Sequence, residues 1–543
     1  MLRSTFAGFN TAQLGMAASQ RALDVVGQNI ANINTPGYTR QRLDIASLNT
    51  VKGNFYNADP SINVGFGVEM TGVSQLRDPF LDIQYRSQIA KVGTSDAHSA
   101  GYEQLATIFD EATLDGVREA FRSITSSLQS FSDQSGNEEF DSMVRSNMQV
   151  LLNLLRDDSI RLQDIRNDMQ TGFASTDVAD VNELLTNIAN LNQNIKNSQI
   201  LGNPALELMD ERNSLLDELA SYLPITTNYR EQTVGPGYTV EVLDVIFTDT
   251  NGKKYKLVSD GFSGSFDAEV REQPVSLRLS DTMGNTTDVT NLLGNGTLKG
   301  TLDILNKSGD FDNSDVKGLG YYEKALDNLV ATFANAFNEA NKSLKTDANG
   351  NFIPAKDNNG NEIKDAKGNP VYEREDCPLF EKVDPTKDFS AQNIKLASKW
   401  LSGEYRITTS IIPIDGVIGS TASDNINTMI DLMGKDHRFV VDSTINGTPK
   451  STTFFTGSFY DCFAELENTL GIDAKSSETM LGNQILVLNQ TSNSRDAISG
   501  VSLDEEGMNL LHYNQSYNAA ARLMTTLDEA LDKLINGTGV VGR

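Results

Sequence analysis

Cysteine and histidine are almost missing from this chain. Two cysteines in 543 residues, Cys377 and Cys462, cannot build a disulfide scaffold. They can pair or stay free, and burial as free thiols is the expected state. The three histidines, His98, His437 and His512, lie too far apart in sequence to form a metal-ligand run. Basic charge is also short: 45 Lys and Arg against 73 Asp and Glu leave a net charge of −28. That excludes a phosphate-gripping nucleic-acid binder, which needs clustered cations, and a polybasic membrane anchor. No apolar run approaches the roughly 20 residues of a membrane-spanning helix, so no membrane insertion is expected. The first twenty residues lack a continuous apolar stretch, which predicts no cleavable secretory signal.

Catalytic and cofactor patterns are missing as well. Asp347-Ala-Asn349-Gly350-Asn351 begins like a calcium loop but puts Phe352 where the sixth-position glycine belongs, so β-turns explain its composition. Gly261-Phe-Ser263-Gly264-Ser265 lacks the closing glycine and the following helix of a nucleophile elbow. Gly65-Phe-Gly67 and Gly318-Leu-Gly320 lack the third glycine and the βαβ setting of a dinucleotide site. No HExxH occurs. The expectation is a non-enzyme with no cofactor and no metal.

Heptad spacing at both ends is what the sequence does contain. Phe9, Ala12, Met16, Ser19, Leu23, Val26, Ile30 and Ile33 step by three and four residues. Leu510, Tyr513, Tyr517, Ala520, Met524, Leu527, Leu531 and Leu534 do the same at the other terminus. Each helix would be about 40 Å long, and neither can hide its seam alone. The spacing predicts that the two pair as a coiled coil. Thr35 before Pro36, then Gly37, ends the first helix near Asn34. Apolar residues off the seams, among them Phe6, Leu14, Leu511, Leu523 and Ile535, leave flanks that a two-helix pair does not cover.

Between these ends the periodicity changes several times, which predicts a multidomain α+β chain. Residues 1–75 form the N-terminal helix and an extended arm. Residues 76–224 form a long-helix bundle, with Val144, Met148, Leu151, Leu155, Leu162, Ile165 and Met169 on one stripe and Asp158 as its polar interruption. Asn203 and Pro204 are expected as N-cap and first residue of a later helix. Residues 225–295 alternate with period two around Asn251-Gly252 and read as an inserted small β domain. Residues 296–344 return to helix. Residues 345–455 are a turn-rich, mostly β insertion with a short helix at 424–434 and tips at Asn349-Gly350, Asn359-Gly360 and Lys367-Gly368. Residues 456–502 are a return helix, and 503–543 the C-terminal helix that pairs with 1–40.

Three phrases carry a resemblance. They are Leu23 through Arg40 with Pro36-Gly37-Tyr38, Asp210-Glu-Arg212-Asn213-Ser-Leu215-Leu216, and Ser499-Gly-Val-Ser-Leu-Asp-Glu505-Glu506 followed by Asn509-Leu510-Leu511 and Gln515-Ser516-Tyr517. Together they resemble the bacterial flagellar axial proteins, the rod, hook and hook-associated family, and in order and length its hook-associated members. The resemblance implies a structural adaptor joining hook to filament, exported unfolded and secreted to the extracellular flagellum. It implies self-assembly in a helical ring, hook protein below, the next hook-associated protein above, and a cytosolic export chaperone on the C-terminal segment. The assembly seam would be Phe9, Met16, Leu23, Val26, Ile30 and Ile33 with Leu510, Tyr513, Tyr517, Met524, Leu527, Leu531 and Leu534. Another axial protein of the family, or a secreted adhesin using the outer β segments, are the alternatives.

Overall fold

A computed structural model of the chain describes residues 5–48, 65, 67–109, 113–235, 238–271, 273–357, 361–364, 370–413, 417–445 and 447–537. The chain opens with helix α1 (Thr5–Ala31) and a hairpin arm, β1 (Gln41–Ser47) with β2 (Val68–Gln75), paired antiparallel from Gln41–Gln75 to Ser47–Val68. Helices α2 (Pro79–Phe109), α3 (Thr113–Asp133), α4 (Glu138–Gly172), α5 (Val178–Ile200) and α6 (Leu206–Tyr222) follow. A four-stranded antiparallel sheet then forms from β3 (Ile225–Gly235), β4 (Tyr238–Thr248), β5 (Lys254–Ser259) and β6 (Phe262–Ser263). Beside it β7 (Ser265–Glu269), β8 (Ser276–Ser280) and β9 (Thr286–Asp288) make a three-stranded one.

Helices α7 (Thr297–Asn306) and α8 (Leu319–Ala340) return to the bundle. Short strand pairs come next, β10 (Ser343–Leu344) with β11 (Arg374–Glu375) and β12 (Phe380–Glu381) with β13 (Lys395–Leu396). A helical turn α9 (Ser398–Leu401), α10 (Asp424–Gly434) and the hairpin β14 (His437–Ile445) with β15 (Thr448–Gly457) lead into two long helices, α11 (Phe459–Ser499) and α12 (Leu503–Gly537).

Local chemistry sets these boundaries. The Asn137 side chain accepts the Glu139 N–H to start α4, and Ser458 accepts the Asp461 N–H to start α11. A single π-helical turn, Phe173–Asp177, joins α4 to α5 without a break in the chain direction. Helix α6 begins differently from the Asn203–Pro204 start that the sequence predicts. Asn203 accepts the Ala205 N–H in a tight turn, Ala205 takes a left-handed conformation (φ 56°), and helix begins only at Leu206. In the β4–β5 turn Gly252 has φ +83°, and Asp249 accepts the N–H groups of Asn251 and Lys253. Asp347 closes its tip in the same way through Asn349 and Asn351. The tips expected at Asn359-Gly360 and Lys367-Gly368 lie outside the described residues, but antiparallel bridges Lys356–Glu362 and Lys364–Pro370 sit at their feet.

One contiguous apolar cluster runs from Tyr102 to Leu470 through α2–α6, the sheets, α7–α10 and the start of α11. Segment 376–434 is drawn into it. Trp400 is buried with its indole N–H on Asp141 of α4 at 3.2 Å, and the Ile407 N–H reaches the same carboxylate at 2.9 Å. Arg166 of α4 is likewise buried, forked onto Glu323 of α8 at 2.9 and 2.6 Å, with the Leu305 carbonyl at 2.8 Å. Both cysteines are buried and free.

Asp158, the interruption in the α4 stripe, is 5% exposed, and burial pushes its carboxyl up to about 7. Burial also pushes Asp177 and Asp327 up to about 6. Between pH 4 and 7 the folded chain therefore holds protons that the unfolded chain has lost, so stability falls as pH rises through that window. Replacing Asp158 by Asn is expected to remove its share of the loss. Thermal or urea unfolding should show the variant more stable by roughly 2–4 kcal/mol at pH 8 and nearly unchanged at pH 4.

Candidate functional site: the terminal helix pair and its neck

Helices α1 and α12 pack antiparallel, outside the main apolar cluster. A methyl placed on Gly8 would lie 3.1 Å from Leu527 Cδ1, and one on Gly15 would lie 3.8 Å from Ala520 Cβ. Seven residues up one helix thus match seven down the other. The α1 row at this contact is small: Ala12, Ser19, Ala22 and Val26 are buried, with Gly8 and Gly15 on the same row. Small side chains let the two backbones approach closely.

The large α1 seam residues expected from the sequence flank this row, whereas Leu527 and Ala520 of the expected α12 row face it. Val26 is buried, while Phe9, Met16, Leu23, Ile30 and Ile33 are half-buried along the flanks of that row. On α12, Tyr513, Met524, Leu527 and Leu531 are half-buried, but Leu510, Tyr517 and Leu534 are 40%, 37% and 55% exposed. The contact row lies one position from the expected one at Gly8, Gly15, Ala22 and Asn29, with Ala12, Ser19 and Val26 common to both. On α1 the small residues repeating at steps of four and three are the sequence signal of this close row. Met508, Leu511, Leu523 and Ile535 add further exposed apolar surface. Among its described residues α12 buries only Glu506.

Three chain crossings form a neck between this helix pair and the bundle. The Arg40 N–H donates to the Ser499 carbonyl at 2.9 Å, and the Leu76 N–H donates to the Arg40 carbonyl at 2.9 Å. The Arg40 guanidinium reaches Glu506 at 2.7 Å and Glu505 at 2.5 Å, which ties the exit of α1 to the start of α12. Asn29 exchanges two 2.9 Å hydrogen bonds with the Gln41 backbone and accepts the Tyr38 hydroxyl at 2.9 Å. Burial first, then Asp210, pushes the Tyr38 phenol up to about 12, so it stays a donor.

Below the neck, Asp210 accepts the Thr39 N–H at 3.1 Å, and burial raises its carboxyl. Asp217 bridges Arg86 and Arg495 at 2.7 and 2.6 Å, and Arg495 lies 3.8 Å over the Tyr85 ring. Gly37 has φ +76°, and a Cβ there would meet Ser214 Oγ at 2.4 Å. The three phrases of the sequence, 23–40, 210–216 and 499–506, therefore meet at one place. The partner of Glu506 lies far from it in the sequence, so its 1% exposure and its pairing with Arg40 follow only from the fold.

The neck has the residues of a clamp. Among the described residues no cluster of three His, Cys, Asp or Glu could hold a metal, and no helix is long and apolar enough to cross a membrane.

The fold is that of a helical bundle joined through a neck to a helix pair made from both chain ends. Comparison with known families agrees. The flagellar hook-associated protein FlgK helical domain matches residues 102–354, the flagella basal body rod protein family 9–39, and the flagellar basal body rod FlgEFG protein C-terminal family 495–537. Flagellar hook-associated protein 1 of Bacillus subtilis is 30% identical over the whole of both chains, and that of Escherichia coli 27% identical over 97% of this chain and 99% of its own. The flagellar hook junction protein FlgK from Burkholderia pseudomallei shares the fold, with a TM-score of 0.51 at 13% identity over 77% of this chain and all of its own. The chain belongs to the flagellar hook-associated protein 1 family, a family of structural components of the flagellum.

Removing the Arg40 side chain would leave Glu506 buried without its cation, a loss of about 3–5 kcal/mol for a buried pair. Arg40→Ala should therefore loosen the neck: limited proteolysis is expected to cut between Ser499 and Leu503 faster than in the parent, with bundle unfolding unchanged.

Proposed function

We propose that the protein is a mechanical adaptor that joins the flagellar hook to the filament, with no chemistry at any residue. Subunits reach the growing tip by export as unfolded chains and assemble there as a helical ring. Hook protein lies below the ring and the next hook-associated protein above it. In the cytosol an export chaperone covers the C-terminal segment, where α12 would otherwise present Met508, Leu511 and Leu523 to solvent. The observation that carries this reading is α12 itself. It is a 35-residue helix whose apolar stripe is only half covered by α1, at the end of a chain similar over its full length to a hook-associated protein 1.

Hook and distal-rod membership within the wider axial family is the weaker alternative. The FlgK helical-domain match over 102–354 favours the hook-associated branch.

The physical requirement is that seam side chains finish their burial against neighbouring subunits. Each large one is worth about 1.5–3 kcal/mol when fully buried. Leu527→Asp, set against Gly8, is expected to prevent incorporation and motility while circular dichroism of the purified chain keeps the bundle signal. A strain lacking the protein should keep its hooks and shed filament subunits into the medium. Swimming cells carrying Leu527→Asp would contradict the reading.

A further inference from the structure

A groove of about 1010 Å³ lies beside the neck, between α1, the β1–β2 arm, the α5–α6 turn and the β3–β4 hairpin. Its charge is one-sided. Glu207, Glu231 and Glu241 line it, and none of the three forms an ion pair among the described residues. Arg21, the groove's one basic residue, is engaged with Asp24 at 3.7 Å. Glu231 and Glu241 are also directly opposite one another in the β3–β4 ladder. Like charges in that position destabilise a hairpin, so the fold carries a cost here that a cation from outside would remove. An independent feature points the same way. Gln41 is 7% exposed, lines the groove, and its Nε2 has no hydrogen-bond partner among the described residues. A buried donor left open in this way expects an acceptor, such as a main-chain carbonyl.

The opposite end of the same sheet carries the complement. At the β4–β5 turn Lys253 and Lys254 stand exposed and adjacent on a narrow Asn251-Gly252 tip, and they are the only two neighbouring Lys or Arg residues in the sequence. Lys253 lies over the Tyr255 ring, and Lys254 forms no ion pair among the described residues. The 11-residue strand β4 separates the two ends by about 36 Å. The lysines therefore cannot fold back into the groove of their own chain, but they can enter that of a neighbour.

We propose that this groove receives the Lys253–Lys254 turn of a second copy of the chain. The ammonium groups neutralise Glu231, Glu241 and Glu207. The lysine stems lie along Leu43 and Val240, and a carbonyl of the Asn251-Gly252 turn accepts from Gln41 Nε2. Groove and turn are different surfaces of one molecule, so the contact is head to tail and propagates as a ring or helix instead of closing a dimer. The inference rests on the reading of the chain as a self-assembling axial subunit and names the side chains that set its lateral register.

The test uses full-length chain assembled on hooks. Zero-length carbodiimide coupling is expected to join Lys253 or Lys254 of one subunit to Glu231 or Glu241 of the next, identified by mass spectrometry. Glu231→Lys with Glu241→Lys, and separately Lys253→Glu with Lys254→Glu, should each lower incorporation at least tenfold. Combining all four reversals should restore it. Glu231→Gln in the free chain should raise the melting temperature by relieving the repulsion, which shows that the hairpin folds without the charge. Reversals that assemble like the parent, or a combined variant no better than either half, would overturn the contact. Either result would leave the adaptor reading intact, because that reading fails only if the parent chain itself is not found on hooks.

Discussion

The constraint on which this molecule turns is the incomplete burial of α12. A helix of 35 residues gains little from propensity alone and is held in water by packing an apolar face. Here α1 covers one stripe through small residues, and the one residue α12 fully buries is a carboxylate, Glu506, at its foot. The pair is therefore anchored where Arg40 grips Glu506 and Glu505, while Met508, Leu511, Leu523 and Ile535 stay exposed along α12. An arrangement anchored at one end and apolar along its length gains stability when neighbouring copies cover the exposed flanks.

Charge placement serves the same end. The chain carries −28 overall, yet α1 holds only Arg21 and Asp24, and between Gly507 and Leu527 Arg522 is the one Lys, Arg, Asp or Glu. The acidic residues are concentrated in the bundle and the outer sheets. Subunits brought side by side would meet the least repulsion along their helix pairs, where apolar contact is to form. The bundle contributes rigidity through Arg166–Glu323 and Asp141–Trp400, so the neck is where rod and body are coupled.

Much of this was legible in the sequence because period and punctuation are local. The terminal heptads, the α4 stripe with Asp158 inside it, the exit at Pro36-Gly37 and the β4–β5 turn at Asn251-Gly252 all follow from neighbours a few residues apart. On α1 the row that faces α12 carries Gly8 and Gly15 beside Ala12, Ser19 and Val26 of the expected seam, one position from Phe9 and Met16, because a residue without a side chain lets the helices approach where a large one would hold them apart. The α6 start was misjudged because Asn203 spends its side chain on a turn before the helix. Glu506, the packing of Trp400 on Asp141, and the facing of Glu231 by Glu241 depend on long-range pairing or on register, and no local pattern announces them.

Hydrogen exchange, compared between the free chain and the chain assembled on hooks, tests the central claim most directly. Amides of α1 and α12 should exchange readily in the free protein, slow by orders of magnitude on assembly, and differ in this from the already protected bundle helices α4 and α8. Strong protection of α1 and α12 in the free chain, equal to that of the bundle, would contradict the account.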